Sequence, residues 1–599
     1  MSGMYDDRRP APRSGEDTAG IVVLGGCALV AAFWYIGVSR LHLRNTQCLE
    51  LFLDLAIGLF GSGLILSDLI GKRQRREEAW PHPALHVPGE TDEKNLRRAR
   101  DEGSTLLGYN VHGEPWFWAD SVRLKHGVIG GGTGAGKTTF LQSIIAQDLN
   151  RTFHGKRMPI IIFDGKGDQA FVQELLPHIE AAGRMEDLRL IDPSNPQESW
   201  SYNPLYSPDS LYQEHVNFIF SSFGVHDDFF AGHQEAYLSD LVRILHYTGK
   251  VFNMRDVLVV ALDEKVLNEQ IGIAQKRVDS IPSISLTMRL NFEMSVKMIR
   301  KSLADRERIA KIQGLLNELL AFLEDDLSIV TGSYQNMLTV EEVVDKSLIL
   351  IISLNSNKNK RASEALGKIL LQNIRLMVGK RYQQMLSLNL EQEPILSVIC
   401  DEIARYADPD FPQVLQTARG ARVSFLFSFQ AVPQLENVSR AFAEEVCSAP
   451  GTKMLMNGTD ESTAQWFLKA SSRVLRKRRS LAVRRTGVFS QKYTETGTGN
   501  ESDFRETRAR EEHIKNMPVG QLEILMVDPR EGTLHSHLHA RRTMTYRPEE
   551  MKSSLYPRMH DAIDPRVGAN LRFSNEEPRR GRRRTAGTTL ASFWTGEEA

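Results

Sequence analysis

The residues that point most directly to chemistry are Gly131-Gly132-Thr133-Gly134-Ala135-Gly136-Lys137-Thr138, followed by Thr139. Their spacing, G-x-x-x-x-G-K-[ST], is that of a loop that wraps phosphates with its own backbone. Glycines let successive N–H groups converge on phosphate oxygens with no Cβ in the way. A helix starting at Lys137 adds the partial positive charge of its N-terminus. Lys137 is spaced to reach β- and γ-phosphates, and the Thr138 hydroxyl to ligate Mg²⁺. The pattern predicts ATP and Mg²⁺ as cofactors, with residues 131–139 holding the nucleotide.

Carboxylates decide what the nucleotide is for. Residues 394–402 read PILSVICDE, an apolar run ending in two acids. A buried parallel strand would present Asp401 and Glu402 at its C-terminal end. Asp401 then belongs to the Mg²⁺ shell, with Thr138, and Glu402 orients or deprotonates a water. A hydrolytic Glu beside a metal-binding Asp predicts an ATPase rather than a kinase. Gln430 closes the run VSFLFSFQ (423–430) and is a candidate sensor of the γ-phosphate. Arg419 and Arg422, in TARGARV, are candidates for an arginine acting in trans across a subunit boundary; the sequence leaves both open. The expected catalytic set is Lys137, Glu402, Gln430 and one of these arginines.

Such residues need a rigid sheet behind them. Short apolar runs recur at 123–129, 159–164 (PIIIFD, followed by Gly165-Lys166-Gly167-Asp168), 347–353, 423–430 and 524–528 (ILMVD). Helical stretches separate them, TFLQSIIAQDL after the glycine loop among them, which is the pattern of a parallel α/β sheet. Residues 207–344 differ: apolar residues recur at i, i+3, i+4 and i+7, and strand-like runs nearly vanish. They read as an all-α domain inserted into the α/β core.

The chain has 599 residues, 41% hydrophobic and 25% charged, which excludes collagen-like, coiled-coil and wholly disordered classes. Lys and Arg number 74 against 75 Asp and Glu, so no global basic field marks a nucleic-acid binder. Cys27, Cys48, Cys400 and Cys447 form no CxxC, which excludes a disulfide scaffold and a cysteine zinc finger. His535, His537 and His539 alternate and could share a strand face, but no further ligand pattern supports zinc, and a plain strand is the simpler reading.

The first tenth reads as a membrane anchor. Residues 21–38 are eighteen residues without a charge, about 27 Å of helix. Residues 51–70 form a second apolar run. Lys72, Arg73, Arg75 and Arg76 follow it directly, and Arg8, Arg9 and Arg13 precede the first, so both ends are expected in the cytoplasm. Residues 473–485 (RVLRKRRSLAVRR) are strongly basic: either a DNA-facing loop or a solvated loop balanced by acids at 501–512. The end of the chain, 551–599, reads as a disordered basic tail.

Six features in this order resemble one family: the two-run anchor, GGTGAGKTT, a strand ending in DGKGD, Tyr202-Asn203-Pro204-Leu205, the helical insertion, and VICDE followed by SFQAVPQL. Residues 453–467 and 517–526 extend the likeness. The chain resembles the type IV secretion coupling proteins, the TraG/TraD-like conjugation ATPases, with DGKGD similar to the branch of I-type plasmids and Dot-type systems. The resemblance implies an α/β fold: a RecA-like P-loop ATPase core with an inserted all-α domain and an N-terminal two-helix transmembrane hairpin. Its expected layout is a tail (1–20), the hairpin (21–70), two halves of the nucleotide-binding domain (71–206 and 345–550) around the insertion (207–344), and the basic tail (551–599). It implies a bacterial inner-membrane homo-hexamer with its ATPase domain in the cytoplasm. Its implied partners are secretion-channel components, DNA–relaxase complexes or effector proteins, and DNA itself. Two other readings stay open: an FtsK-like DNA translocase, and a membrane scaffold switched by nucleotide without translocation.

Overall fold

The computed structural model describes residues 84–543, apart from short stretches of which 207–215 and 486–492 are the longest. The chain divides into two compact units, Met1–Ala84 and Leu85–Ala599. The two apolar runs at 21–38 and 51–70 and the tail 551–599 lie outside the described residues. Among the described residues no helix is long and apolar enough to cross a membrane.

The described strands are β1 (Ser104–Asn110), β2 (Pro115–Ala119), β3 (Gly127–Gly130), β4 (Thr152–Phe153), β5 (Lys156–Arg157), β6 (Ile160–Asp164), β7 (Leu188–Ile191) and β8 (Ile349–Ser353). They continue with β9 (Leu396–Asp401), β10 (Val423–Phe429), β11 (Thr452–Leu455), β12 (Arg473–Arg485), β13 (Tyr493–Thr507), β14 (Gln521–Asp528) and β15 (Gly532–Ala540). Eleven of them form one sheet in the order β2-β1-β15-β14-β11-β3-β10-β9-β6-β8-β7. The block from β11 to β7 is parallel throughout. The β2-β1-β15-β14 edge is antiparallel.

The parallel strands are buried on both faces, as their unbroken apolar runs require. In β6 the period of two is visible in the packing: Ile160 and Ile162 join one core cluster, Ile161 and Phe163 the other. On the first face lie α1 (Lys137–Leu149) and α2 (Gln169–Ala181), with Leu141, Ile144, Ile145, Leu175 and Ile179 in the same cluster. The second face is covered by α8 (Lys360–Gln383), through Leu366, Ile369 and Leu370.

Between β7 and β8 the chain runs through α3 (Asp228–Thr248), α4 (Met254–Leu262), α5 (Glu264–Ser280), α6 (Leu286–Leu303) and α7 (Arg308–Ala321). Helix α3 packs against α5, α6 and α7. Their apolar faces are continuous with the second face of the sheet in a single cluster that holds Phe163, Leu241, Phe292 and Leu315. Asn203 explains the Tyr-Asn-Pro-Leu stretch: its Nδ2 donates to Phe252 O (2.8 Å) and Ser333 O (3.3 Å), and its Oδ1 accepts from Leu205 N (2.9 Å). The exit from the sheet is thereby tied to the α3–α4 connection and to the chain that leaves the helical stretch.

Three local expectations are corrected. The run at 123–129 is not one strand: residues 120–123 form a helical turn, His126 turns at φ 67°, and only Gly127–Gly130 pairs. Trp118 packs against Gly127, where a Cβ would meet its ring at 3.0 Å. ILMVD lies in β14, which is antiparallel to β11 and, through a short hairpin, to β15. The basic stretch 473–485 is not a loop but the ribbon strand β12, paired with β13 so that Lys477 stands opposite Asp503 and Arg479 opposite Glu501.

At the N-terminal ends of the parallel strands a charged pair is sealed in. Arg123 donates to both carboxylate oxygens of Asp148, to Thr105 Oγ1 (3.1 Å) and to Ser397 Oγ (2.7 Å). Ser397 Oγ in turn donates to Asp148 Oδ2 (2.9 Å). His126 lies close by in sequence: its Nδ1 accepts from Phe425 N (3.2 Å), so its other nitrogen donates to Leu415 O (3.1 Å).

Candidate functional site

The glycine loop joins β3 to α1 at the C-terminal edge of the parallel block, where α/β sheets bind ligands. Gly136 caps α1 at φ 99°, a left-handed conformation that would strain any residue with a Cβ. The loop is braced from behind: Gly132 N donates to Asn457 O (2.8 Å), and Gly520 N to Ala135 O (3.3 Å). Thr133, Gly134 and Thr139 face solvent, while Ala135 and Lys137 are buried. Lys137 folds back over the loop, its ammonium donating to Gly131 O and to Gly132 O (3.2 Å). Burial lowers its pKa, and nearby Lys166 adds to that, against the pull of Glu402 and Asp401.

Asp401 ends β9 two strands from the loop, and Glu402 follows it in the left-handed region at φ 53°. That conformation is costly for a glutamate, and the surrounding contacts hold it there. Ser428 Oγ donates to Asp401 Oδ1 and accepts from Glu402 N (3.1 Å). Tyr406 OH donates to Asp401 O (2.8 Å), and its ring stacks on Phe163 at 5.2 Å. Gln430, just past β10, donates through Nε2 to Glu402 Oε1 (2.7 Å) and accepts from Thr133 Oγ1 (3.2 Å). An unbroken chain of hydrogen bonds therefore links the glycine loop to Glu402 through Gln430.

Lys166 is a site residue with no role assigned from the sequence. Its ammonium lies 3.4 Å from Thr138 Oγ1, 3.7 Å from Asp401 Oδ2 and 3.7 Å from Glu402 Oε1. The backbone brings it there. Asp164 stands in register with Asp401, and its Oδ1 accepts from Lys166 N (3.0 Å). Gly165 passes so close that a Cβ would meet Asp401 O at 2.7 Å and the Tyr406 ring at 2.8 Å. The signal was present in DGKGD: glycine permits the close approach, and lysine fills the space beside the two acids.

The structure thus gathers Lys137, Thr138, Asp401, Glu402 and Gln430 around residues 131–136. It does not bring Arg419 or Arg422 to them within the chain. Both precede β10, at the opposite end of a strand parallel to β3, about 20 Å along the sheet. Arg419 is exposed. Arg422 lies over the Phe153 ring at 5.1 Å, and burial lowers its pKa.

The alternating histidines of β15 form a different arrangement. His535 Nε2 (2.9 Å) and His537 Nδ1 (3.0 Å) both bond Glu523 on β14. Burial alone would raise the Glu523 pKa, but these two hydrogen bonds outweigh it and hold the carboxyl down to about 2. Among the described residues no group of three His, Cys, Asp or Glu side chains is placed to hold a metal ion.

Residues 396–517 match the family described as the TraM recognition site of TraD and TraG. The type 4 coupling protein DotL of Legionella pneumophila is 25% identical over 401 residues, which cover 59% of this chain. The chain spans about half (49%) of the length of that curated relative. The fold is similar to that of the bacterial conjugative coupling protein TrwB in its unbound form. The TM-score is 0.52 at 15% identity, covering 76% of this chain and 93% of that one. It is also similar to TrwB in complex with a non-hydrolysable ATP analogue, at TM-score 0.50 and 14% identity, covering 77% of this chain and 95% of that one. The core accordingly has the α/β, RecA-like fold. By matched segment, curated relative and fold alike, the chain is similar to the type IV secretion coupling proteins.

Proposed function

We propose that the chain is the ATP-hydrolysing subunit of a type IV secretion or conjugation coupling protein, and that the site at residues 131–138, 401–402 and 430 turns over ATP to drive substrate transfer. One observation carries this reading: Glu402 is bonded through Gln430 to Thr133 of the glycine loop, so water-activating carboxylate and phosphate cradle form one connected unit. In this reading the backbone N–H groups of residues 131–136 and the N-terminus of α1 receive the phosphates, with Thr139 at the rim. Lys137 releases its carbonyl contacts and turns to the β- and γ-phosphates.

The residues fit Mg²⁺. Thr138 Oγ1 and the Asp401 carboxylate already bracket a cationic group, the Lys166 ammonium. The ion would be held by Thr138 and Asp401, and when bound it supplies charge neutralisation at the phosphates. Glu402, oriented by Gln430, takes a proton from the attacking water. Gln430 senses whether the γ-phosphate is present, because it touches both loop and base. An arginine supplied by a neighbouring subunit would complete the charge balance, and Arg419 is the better candidate since Arg422 is packed against Phe153. The reading includes a homo-hexamer at the bacterial inner membrane, anchored by residues 21–38 and 51–70. It recruits DNA–relaxase complexes or effector proteins for the secretion channel. The printed descriptions of DotL and TrwB as coupling proteins support it.

The test is ATP binding and hydrolysis by the full-length chain. Lys137→Ala is expected to lose nucleotide binding. Glu402→Gln should bind ATP normally while hydrolysis falls by about 10²–10⁴-fold. Wild-type hydrolysis by Glu402→Gln would remove the assignment of Glu402. Nucleotide-dependent assembly without turnover in the wild-type chain would favour a switched scaffold.

A further inference from the structure

Helix α6 carries a row of apolar side chains that stands open to solvent. Leu286, Leu290, Met294 and Met298 recur every four residues and are 73%, 50%, 53% and 46% exposed. Scattered surface leucines are ordinary, but a contiguous apolar row on a soluble helix marks a contact surface. The helix itself is firmly held. Phe292, Ser295, Val296 and Ile299 are buried on its other side. Tyr247 meets Phe292 edge-on at 5.3 Å, and Ser295 Oγ donates to Asp240 Oδ1 (2.6 Å).

The spacing specifies what such a surface accepts. Side chains four apart form one of the ridges by which helices interlock, seated in the groove between two rows of a second helix. From Leu286 to Met298 the ridge is about 18 Å long, enough for three turns of a partner. The stripe is a single row wide, as in a helix–helix seam. Two of its four members are methionines, which adapt to a partner's contours.

Charge narrows the partner further. The neighbouring row on the helix is Arg289, Glu293, Lys297 and Lys301. Arg289 is paired with Asp279 at 3.4 Å. Lys297 and Lys301 are exposed and form no ion pair with a described residue, and exposed Arg300 lies on the same side. The other neighbours, Thr287 and Asn291, are neutral. We propose that this ridge is the docking surface for an amphipathic helix of a protein partner, whose apolar row packs on Leu286, Leu290, Met294 and Met298 and whose acidic flank faces Lys297 and Lys301. A second copy of α6 packed in parallel would set these lysines against their own kind. A lipid surface favours helices with aromatic side chains and a broad apolar face, and the exposed side of α6 has neither.

The experiment titrates the full-length chain, in lipid nanodiscs with empty discs as blank, against three labelled synthetic 18-residue peptides, read by fluorescence anisotropy. The first is helical, with leucines every four residues flanked by glutamates. The second has lysines for the glutamates, and the third is a scramble of the first. The acidic amphipathic peptide is expected to bind at least about tenfold more tightly than the other two. Met294→Glu should weaken that binding about tenfold, and Lys297→Glu with Lys301→Glu should shift the preference to the basic peptide. Because these side chains are exposed, thermal unfolding and ATP hydrolysis of the variants should match the wild type, which excludes misfolding as the cause. Equal binding of the scramble, or no effect of Met294→Glu, overturns the proposal. So does binding to anionic vesicles, or self-association in sedimentation, that Met294→Glu abolishes while the peptides do not bind. None of these outcomes bears on the nucleotide site.

Discussion

Helix α1 joins two buried charge clusters of opposite character. At its C-terminal end Asp148 and Arg123 are 0% and 1% exposed and close on each other through two hydrogen bonds, with Thr105 and Ser397 taking up further capacity. At its N-terminal end, about 16 Å away along the helix, Lys137 and Lys166 face Asp401 and Glu402 without closing. Lys137 bonds backbone carbonyls instead, and Lys166 stands 3.7 Å from each carboxylate. Burial pushes both Arg123 and Lys137 toward lower pKa. For Arg123 the contact with Asp148 reverses the sign, and for Lys137 the neighbouring acids do not. A cluster that satisfies itself contributes to the fold. One whose charges stay out of direct contact is ready to accept a charged ligand.

The sharpest way to break this contrast is to neutralise one member at each end. Asp148→Asn leaves the Arg123 charge buried beside a neutral partner and is expected to lose about 3–5 kcal/mol in denaturant unfolding. Nucleotide affinity of the folded fraction should stay at the wild-type value. Lys137→Met is expected to do the reverse, abolishing binding while stability stays within about 1 kcal/mol of wild type. If Asp148→Asn cost under about 1 kcal/mol, the sealed cluster would not be the structural element described here.

A smaller effect separates the two ends by pH. Burial lowers the His126 pKa to about 4. Its neutral form is thus required by the fold, whereas the unfolded chain takes up a proton below about 6.5. Stability from this group is therefore full above pH 6.5 and is lost as pH falls toward 4, by up to about 3 kcal/mol. Asp256, raised to about 7 by burial, acts in the opposite direction over an overlapping range. The measurement is accordingly the difference between wild type and His126→Gln, whose amide keeps a donor and an acceptor. The wild type should lose more stability on acidification. Parallel profiles would mean that His126 does not titrate with folding.

The open cluster was far more legible in the sequence than the sealed one, for a physical reason. Phosphate and water chemistry demands particular residue types at short spacing, so GGTGAGKT and VICDE announce themselves. Arg123 and Asp148 are ordinary residues whose partnership arises only when β1, β9 and the end of α1 converge, with Ser397 274 positions from Arg123. Strand runs such as IIIFD were recognisable because strands buried on both faces need unbroken apolar sequence. Strands β1 and β15 carry polar residues and gave no such run, and ILMVD was apolar without revealing its antiparallel partner. The basic run 473–485 looked like a loop because charge hides strand character, and its strand form rests on its pairing with β13. Lys166 was visible as part of DGKGD, but its position between Thr138 and the two acids depends on the β6–β9 register.

That position supports the finest comparison. Lys166 occupies the space between groups that would hold a divalent cation, so ammonium and metal ion compete for the same oxygens in the nucleotide-free chain. The Lys166 side chain is 34% exposed, which weakens the repulsion without abolishing it. Removing one positive charge about 4 Å from a doubly charged ion is worth about 2 kcal/mol even at the dielectric of bulk water. Lys166→Met should therefore bind Mn²⁺ about fivefold or more tightly without nucleotide, as read by the loss of free-ion signal in electron paramagnetic resonance titrations. Asp148→Asn, at the sealed end, should leave the same titration unchanged. Weaker Mn²⁺ binding in Lys166→Met would show that the lysine instead holds Asp401 and Glu402 in the geometry the ion needs. The open cluster would then depend on its own cation as fully as the sealed one depends on Arg123.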